Sequence, residues 1–365
     1  MAVTIYDLAR RLKLSHSTVS RVMNHRDSAF ISEQTRTRVL NLANEMGYAP
    51  NYHSRSLHAG CAMTLGLVSC VQGGADERFW RPMLGGVELG ARALGYDVLV
   101  VGPTKGRTEF QCGLDYCRER RIDALVVPGF ALPADFTESA VGARAVIVLA
   151  GKSRHGVSPL DCVDFDPAPG IAAALEHLAA LGHRRVLWFD VHGRELEDAA
   201  TQRRKLFRQA AQHLALDVRI VSRAEAALGN DEQGDVETAQ RCFPDALDEF
   251  PEATAVVCYN EATAFGAYAA LAERGLRVPT DMSVIAFDDI HATIAAPAMT
   301  VVSHMLAEIG FEAAKLAIEL SQGERSSKRT KGAPAAGCTR LIPAKLMVRK
   351  STAAPGPRPG ARAHG

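Results

Sequence analysis

Residues 15–24 read Ser-His-Ser-Thr-Val-Ser-Arg-Val-Met-Asn, and three of these side chains are equipped for recognition chemistry. His16 and Ser17 carry groups that both donate and accept, so each can address a base edge. Arg21 carries a planar fork that fits guanine O6 and N7, or a phosphate. The bland alternative for Arg21 is a solvated charge on a helix face. Recognition needs His16, Ser17 and Arg21 on the outward face of one short helix, and the flanking sequence supplies it. Ser15 is a good N-cap, and Val19, Val22 and Met23 provide the inward face of a helix running to about Met23.

Two further helices must hold that one in place. Thr4-Ile5-Tyr6-Asp7 has the form of a capping box, and Ile5, Leu8, Ala9 and Leu12 then recur at helical spacing as one apolar stripe. After the break at Lys13-Leu14 the second helix follows across a tight turn. Such a pair lets a second helix enter a major groove while the first crosses the backbone. Ser32 signals a third helix with Val39, Leu42, Ala43 and Met46 inward, stopped by Gly47 and followed by Pro50. Charge agrees: residues 1–60 hold eight Lys and Arg against four Asp and Glu, whereas the other 305 residues hold 34 against 37. A basic module on a near-neutral body predicts that only the N-terminus meets a polyanion.

The string VTIYDLARRLKLSHSTVSRVMN resembles the headpiece of the LacI/GalR family, whose usual form is V-T-[IL]-x-D-[VL]-A-x-x-[AL]-G-V-S-x-x-T-V-S-R-V-[LVM]-N. Lys13 stands where the family usually has a turn glycine. The resemblance implies a DNA-facing set of Thr4, Tyr6, Ser15, His16, Ser17, Thr18, Ser20, Arg21, Asn24, Ser32 and Thr35. It extends to a hinge with Asn51, Ser54 and Leu57. Helical signals over residues 51–58 are too short to stand alone in water. The family's hinge helix orders on DNA and drives a leucine into the minor groove, and Leu57 matches that residue. The alternative is a linker hydrophobe that packs on the core.

From Met63 onward a strand-then-helix phrase repeats, with a helix stopping at glycine before an apolar strand at 80–101, 177–189 and 269–287. Alternation of this kind calls for parallel sheets covered on both faces, with residues 96–101 read as a buried strand. Segments 164–170, 176–186, 255–271, 277–290 and 341–352 continue the resemblance. The expected fold class is an all-α helix-turn-helix headpiece plus an α/β, periplasmic-binding-protein-like core of two doubly wound parallel-sheet subdomains. The expected divisions are headpiece 1–47, hinge helix and linker 48–62, and core 63–350. The first subdomain is placed at 63–162 and 291–325, the second at 163–290 and 326–350, and 351–365 is read as a disordered tail.

Ligands in such sheets bind beyond the carboxyl ends of strands. Carried over on the resemblance, the effector-facing residues are Phe79, Trp80, Asp166, Arg203, Asn260, Asp288 and His304. Carboxylate, amide and guanidinium give directional bonds, and aromatics stack on an apolar ring face. The alternative makes Asp288 a helix cap and Phe79 and Trp80 core. His177 and His183 read as structural, a cationic or donor side chain suiting a helix C-terminus. In the family the helix at 80–94 helps build the dimer interface, here through Met83, Val87 and Leu94; simple core packing is the alternative.

The implied function is a sequence-specific DNA-binding transcription regulator, a repressor, controlled by a small molecule, most simply a sugar or sugar derivative. Double-stranded palindromic DNA, the effector and a second copy of the chain are the expected partners. No cofactor, metal or membrane is expected, and the charges within residues 1–20 disfavour a signal peptide, leaving the cytoplasm. The alternatives are an α/β enzyme or a solute-binding protein. No Walker-type loop, G-x-S-x-G elbow, H-E-x-x-H or post-strand G-x-G-x-x-G is present to support the first. The eight cysteines show no metal or disulfide spacing and read as small hydrophobes.

Overall fold

The computed structural model describes residues 3–23, 31–48, 60–69, 77–129, 132–133, 136, 139–140, 145–151, 160–191, 197–223, 232–326 and 337–356. Three helices form where capping and periodicity place them: α1 (Ile5–Leu12), α2 (His16–Met23) and α3 (Glu33–Glu45). The capping box is made: the Thr4 N–H donates to the Asp7 carboxylate at 3.0 Å, and the Asp7 N–H donates back to the Thr4 hydroxyl at 3.4 Å. Lys13 adopts the left-handed conformation, φ +54, that the family glycine would take freely. A lysine there costs about 1 kcal/mol, and the turn keeps its shape. Leu8, Val19, Val22 and Val39 are fully buried at the centre of this unit.

The rest of the chain builds two six-stranded sheets. The first runs β11-β5-β4-β3-β1-β2, all parallel. It is made of β1 (Thr64–Val68), β2 (Asp97–Val101), β3 (Ala124–Pro128), β4 (Ile147–Ala150), β5 (Asp161–Asp166) and β11 (Thr339–Pro343). The second runs β12-β10-β9-β8-β6-β7. Its strands are β6 (Arg185–Asp190), β7 (Asp217–Ser222), β8 (Ala255–Cys258), β9 (Ser283–Phe287), β10 (Thr300–Ser303) and β12 (Lys345–Met347), with only β12 antiparallel. Helices cover both sheets: α4 (Glu77–Ala93), α5 (Glu109–Arg118), α6 (Pro167–Ala180), α7 (Glu197–His213), α8 (Glu232–Glu249), α9 (Glu261–Glu273) and α10 (Leu306–Ser326). Separate apolar clusters lie on the two faces of each sheet.

Sheet pairing moves the expected subdomain boundaries. Residues 163–166 complete β5 in the first sheet, and β10 still pairs with β9 in the second, so the chain returns to the first lobe at 304–306 rather than at 291. Likewise β11 joins β5, and only from Lys345 does the chain pair in the second sheet. The physical reason is that each crossover falls at the carboxyl end of a strand: Asp166 ends β5 and caps α6, β10 leads into α10, and β11 passes directly to β12. Strand β2, expected to be buried, is half exposed because it closes the edge of its sheet.

The expected disorder from 351 onward is corrected for residues 351–356. Ser351 is fully buried, accepts the Thr300 N–H at 2.7 Å and donates to the Val284 carbonyl at 2.6 Å. His177 bonds Thr352 at 2.9 Å, and His183 bonds Thr254 at 2.8 Å and the Ala353 carbonyl at 2.9 Å. Pro and Gly content signalled a loose tail, but paired polar groups hold its first residues to the second lobe. For Met83 and Val87 the core-packing alternative holds in place of the interface: both are fully buried in the chain's own core, leaving Leu89 and Leu94 as the exposed apolar residues of this region. Cys112, Cys162, Cys242 and Cys258 are buried as expected of small hydrophobes, while Cys338 is exposed.

Candidate effector cleft and DNA-reading face

The polar residues predicted for the cleft stand at the carboxyl ends of strands. Asp166 follows from β5, Asn260 lies just past β8, Asp288 just past β9 and His304 just past β10, while Arg203 reaches in from α7. Three of them form one chain of bonds. His304 Nδ1 lies 3.0 Å from the Asp288 carboxylate, and His304 Nε2 lies 3.2 Å from Arg203 Nη2. Because arginine can only donate, Nε2 must accept, so the proton sits on Nδ1 and is donated to Asp288. The neutral ring thus carries the Arg203 charge to the Asp288 charge. Arg203 Nη1 also donates to the Tyr259 carbonyl at 3.1 Å.

Aromatic rings wall this chain. The Arg203 guanidinium lies 4.4 Å from the Tyr259 ring centre, 4.6 Å from Phe287 and 5.7 Å from Phe165. Phe165 stacks on His304 at 4.2 Å, which joins a first-sheet strand to a second-sheet one. These three aromatics were missed in the sequence. Each directly precedes a singled-out polar residue (Asp166, Asn260, Asp288), and that adjacency at three strand ends was the available signal.

The remaining predicted residues are placed less centrally. Asn260 caps α9 by accepting the Thr263 N–H at 2.8 Å, and its amide donates to Asp235 at 3.2 Å. Asp166 caps α6 through the Ala168 N–H at 3.0 Å. The Trp80 indole donates to the Val68 carbonyl at 3.2 Å and packs on the clusters flanking the first sheet, while Phe79 is half-buried beside it on α4. On α7 the next residue, Arg204, lies 3.6 Å from the buried Asp190, which also takes the Trp188 indole N–H at 2.7 Å and the Ser222 hydroxyl. That anchor fixes the helix carrying Arg203.

Burial lowers the proton affinity of His304, with Asp288 opposing and Arg203 reinforcing the effect, and burial likewise lowers those of His183 and His177. All three are therefore neutral, so His177 and His183 serve the fold by bonding the C-terminal segment rather than by charge. In the unfolded chain they regain the ordinary value near 6.5, so below that pH the unfolded state binds more protons and stability falls. The fully buried His304 contributes up to about 1.4 kcal/mol per pH unit, with smaller contributions from the other two. Urea unfolding between pH 7.5 and 5.5 is expected to show this fall, reduced in His304→Gln; a flat profile refutes it.

On the headpiece, Tyr6 and His16 stack with ring centres 4.6 Å apart and planes 20° apart. Tyr6, Ser17 and Arg21 are exposed. Ser15 accepts the Thr18 N–H at 3.1 Å and shares its hydroxyl with Ser17 and Thr18, each at 2.8 Å. Ser32 accepts the Thr35 N–H at 3.3 Å, and Ser20 is half-buried on α2. Thr4, Ser15 and Ser32 therefore act as caps that fix the helix starts, leaving Tyr6, His16, Ser17 and Arg21 as the outward-reaching set. Asn24, Asn51, Ser54 and Leu57 lie outside the described residues.

Residues 4–51 match the family of bacterial regulatory proteins, lacI family, and residues 175–352 match the periplasmic binding protein-like domain. The transcriptional regulator DegA of Bacillus subtilis is 27% identical over 362 residues, covering 96% of this chain and 98% of its own. GalR of Salmonella typhimurium is 29% identical over 320 residues, covering 87% and 89%. The structure of the lac repressor dimer bound to operator and the anti-inducer ONPF aligns with a TM-score of 0.67 at 22% identity, covering 97% of this chain and 100% of its own. The CelR–cellobiose complex aligns with a TM-score of 0.59 at 24% identity, covering 96% and 99%. A helix-turn-helix headpiece followed by a two-lobed α/β ligand-binding core defines the class: DNA-binding transcription regulators. Within that class the chain pairs a headpiece of the lacI family with a periplasmic-binding-protein-like core, the domain arrangement of its LacI/GalR relatives.

Proposed function

We propose that this regulator is a repressor that acts in the cytoplasm and whose operator affinity is set by a neutral sugar bound among Arg203, His304, Asp288 and Asn260. The observation that carries the reading is the bond chain from Arg203 through neutral His304 to Asp288. Arg203, the one buried lysine or arginine among the described residues, is already balanced by a carboxylate, so an anionic ligand gains little there. Hydroxyls can bond to Asp288, Asn260 and Arg203, and Phe165, the partly exposed ring of the three, offers a face for an apolar sugar ring, while the buried Tyr259 and Phe287 back Arg203. The cellobiose bound by CelR supports the same ligand class.

For the DNA, two copies place their α2 helices in successive major grooves of a palindrome. The exposed Leu89 and Leu94, together with Val100 on the edge strand β2, are suited to pair the copies. Leu57 is the wedge that kinks the centre of the site. The experiment is a thermal-shift screen of neutral sugars, sugar acids, sugar phosphates and nucleobases, followed by gel shifts on an operator selected from random duplexes. A neutral sugar is expected to raise the melting temperature and change operator affinity, and a response confined to anions refutes the sugar reading. Arg21→Ala is expected to weaken operator binding by about tenfold or more; wild-type affinity would remove Arg21 from the interface.

A further inference from the structure

Beside the cleft, Glu261 binds a loop rather than opening toward a ligand. It is the first residue of α9 and 3% exposed. Its two carboxylate oxygens collect three successive backbone N–H groups, from Ile290 at 3.0 Å, His291 at 2.8 Å and Ala292 at 2.9 Å. Hydrogen bonds to an ionised acceptor are the strong kind. On its other side the loop is held by Arg349 from the C-terminal segment, whose Nη2 donates to Asp289 at 2.7 Å and Nη1 to the Met299 carbonyl at 3.0 Å. The loop opens on Asp288 at φ +77, a conformation that a non-glycine residue keeps only when its surroundings hold it. The Asp288 N–H donates to the Val302 carbonyl at 3.2 Å, and the side chain meets His304.

We infer that Glu261 and Arg349 are positioning residues of the cleft: a buried anion at the head of α9 and a guanidinium from the C-terminal segment fix the 288–292 loop, and so fix Asp288. Asn260, next to Glu261 in the chain, and Asp288, at the end of a different strand, then become parts of one rigid unit. A ligand bonded to both meets donors and acceptors at a set separation, with little ordering left to do on binding. The inference rests on the cleft being the effector site; the conformation of the loop can be tested without any ligand.

Hydrogen exchange on the full-length protein reads the clamp directly. In Glu261→Gln, which keeps the shape and loses the charge, the amides of 290–292 are expected to exchange at least about tenfold faster, while Val284 and Ile285 within β9 are unchanged. Glu261→Asp, which keeps the charge, is expected to stay within about threefold of wild type, and Arg349→Gln to loosen the same loop. Unchanged exchange in Glu261→Gln overturns the inference, as does equal loss in the aspartate variant. D-ribose, D-galactose and cellobiose are then titrated into wild type, Glu261→Gln and Arg203→Met. Where a sugar binds wild type, about tenfold weaker binding by Glu261→Gln supports the positioning role, and full affinity there with loss in Arg203→Met overturns it. Binding by all three proteins alike would instead sink the reading of the cleft, leaving the exchange data to decide the clamp.

Discussion

Gly86→Ala is expected to lower the unfolding free energy by about 3 kcal/mol or more, whereas Gly85→Ala, one residue earlier on the same helix, is expected to raise it by roughly 0.5–1 kcal/mol. A Cβ at Gly86 would stand 1.9 Å from the Ala307 carbonyl oxygen and 2.7 Å from its carbon. Gly90 repeats the contact one turn later, 2.5 Å from the Phe311 carbonyl oxygen, and Gly310 returns it from the other side, 2.3 Å from the Met83 carbonyl oxygen. These three glycines let the backbones of α4 and α10 touch, so no side chain can rotate away to make room. Neither helix is free to withdraw: Met83 and Val87 on α4, and Ile309, Ala313 and Ile318 on α10, share one buried cluster over the first sheet. A Cβ at Gly85 meets nothing within 4 Å, so alanine there gains helix propensity alone. Urea unfolding of both variants at one protein concentration decides the matter. Equal stabilities would mean that the helices can separate at little cost.

How far the sequence reaches is visible in which residues it locates. The headpiece is almost wholly legible, because caps and a 3.6-residue apolar stripe are local: Thr4, Asp7, Ser32 and Gly47 act where their types and spacing say. Strand-then-helix alternation likewise yields the two parallel sheets. Lobe membership is not legible from local pattern, because a strand's sheet depends on partners far along the chain. Thus β11 at 339–343 pairs with β5 at 161–166, and residues 351–356 look like a loose tail until their distant partners His177, His183 and Thr300 are known. In the cleft, Arg203, Asp288 and His304 emerge as a connected set, but the role of Glu261 is hidden. No local pattern around it points to residues thirty places on, and only the fold brings the 290–292 amides to it.

Arg203→Met is expected to cost about 3–5 kcal/mol in stability, and adding Asp288→Asn to it is expected to recover a measurable part of that loss. Methionine replaces most of the arginine's stem among Tyr259, Phe287 and Phe165 but supplies no charge. Asp288, 8% exposed, would keep the His304 bond and lose the cation that balances it. An uncompensated buried carboxylate is the costly state, and removing its charge relieves it. Without Asp288→Asn a second relief is open. With Arg203 gone, nothing competes for His304 Nε2, and Asp288 can stabilise an imidazolium. The proton affinity of His304, held below its ordinary value in wild type, should therefore rise in Arg203→Met. Burial, the largest cause of the lowering, stays, so the loss of stability that this group brings on acidification shrinks rather than vanishes. Relative to wild type, Arg203→Met should thus recover stability on acidification, and the double variant should not. NMR titration of His304 with urea unfolding at pH 7.5 and 5.5 checks both points. Additive effects of the two substitutions within about 0.5 kcal/mol, or an unmoved His304 titration, would show that Arg203 and Asp288 are not coupled through the ring.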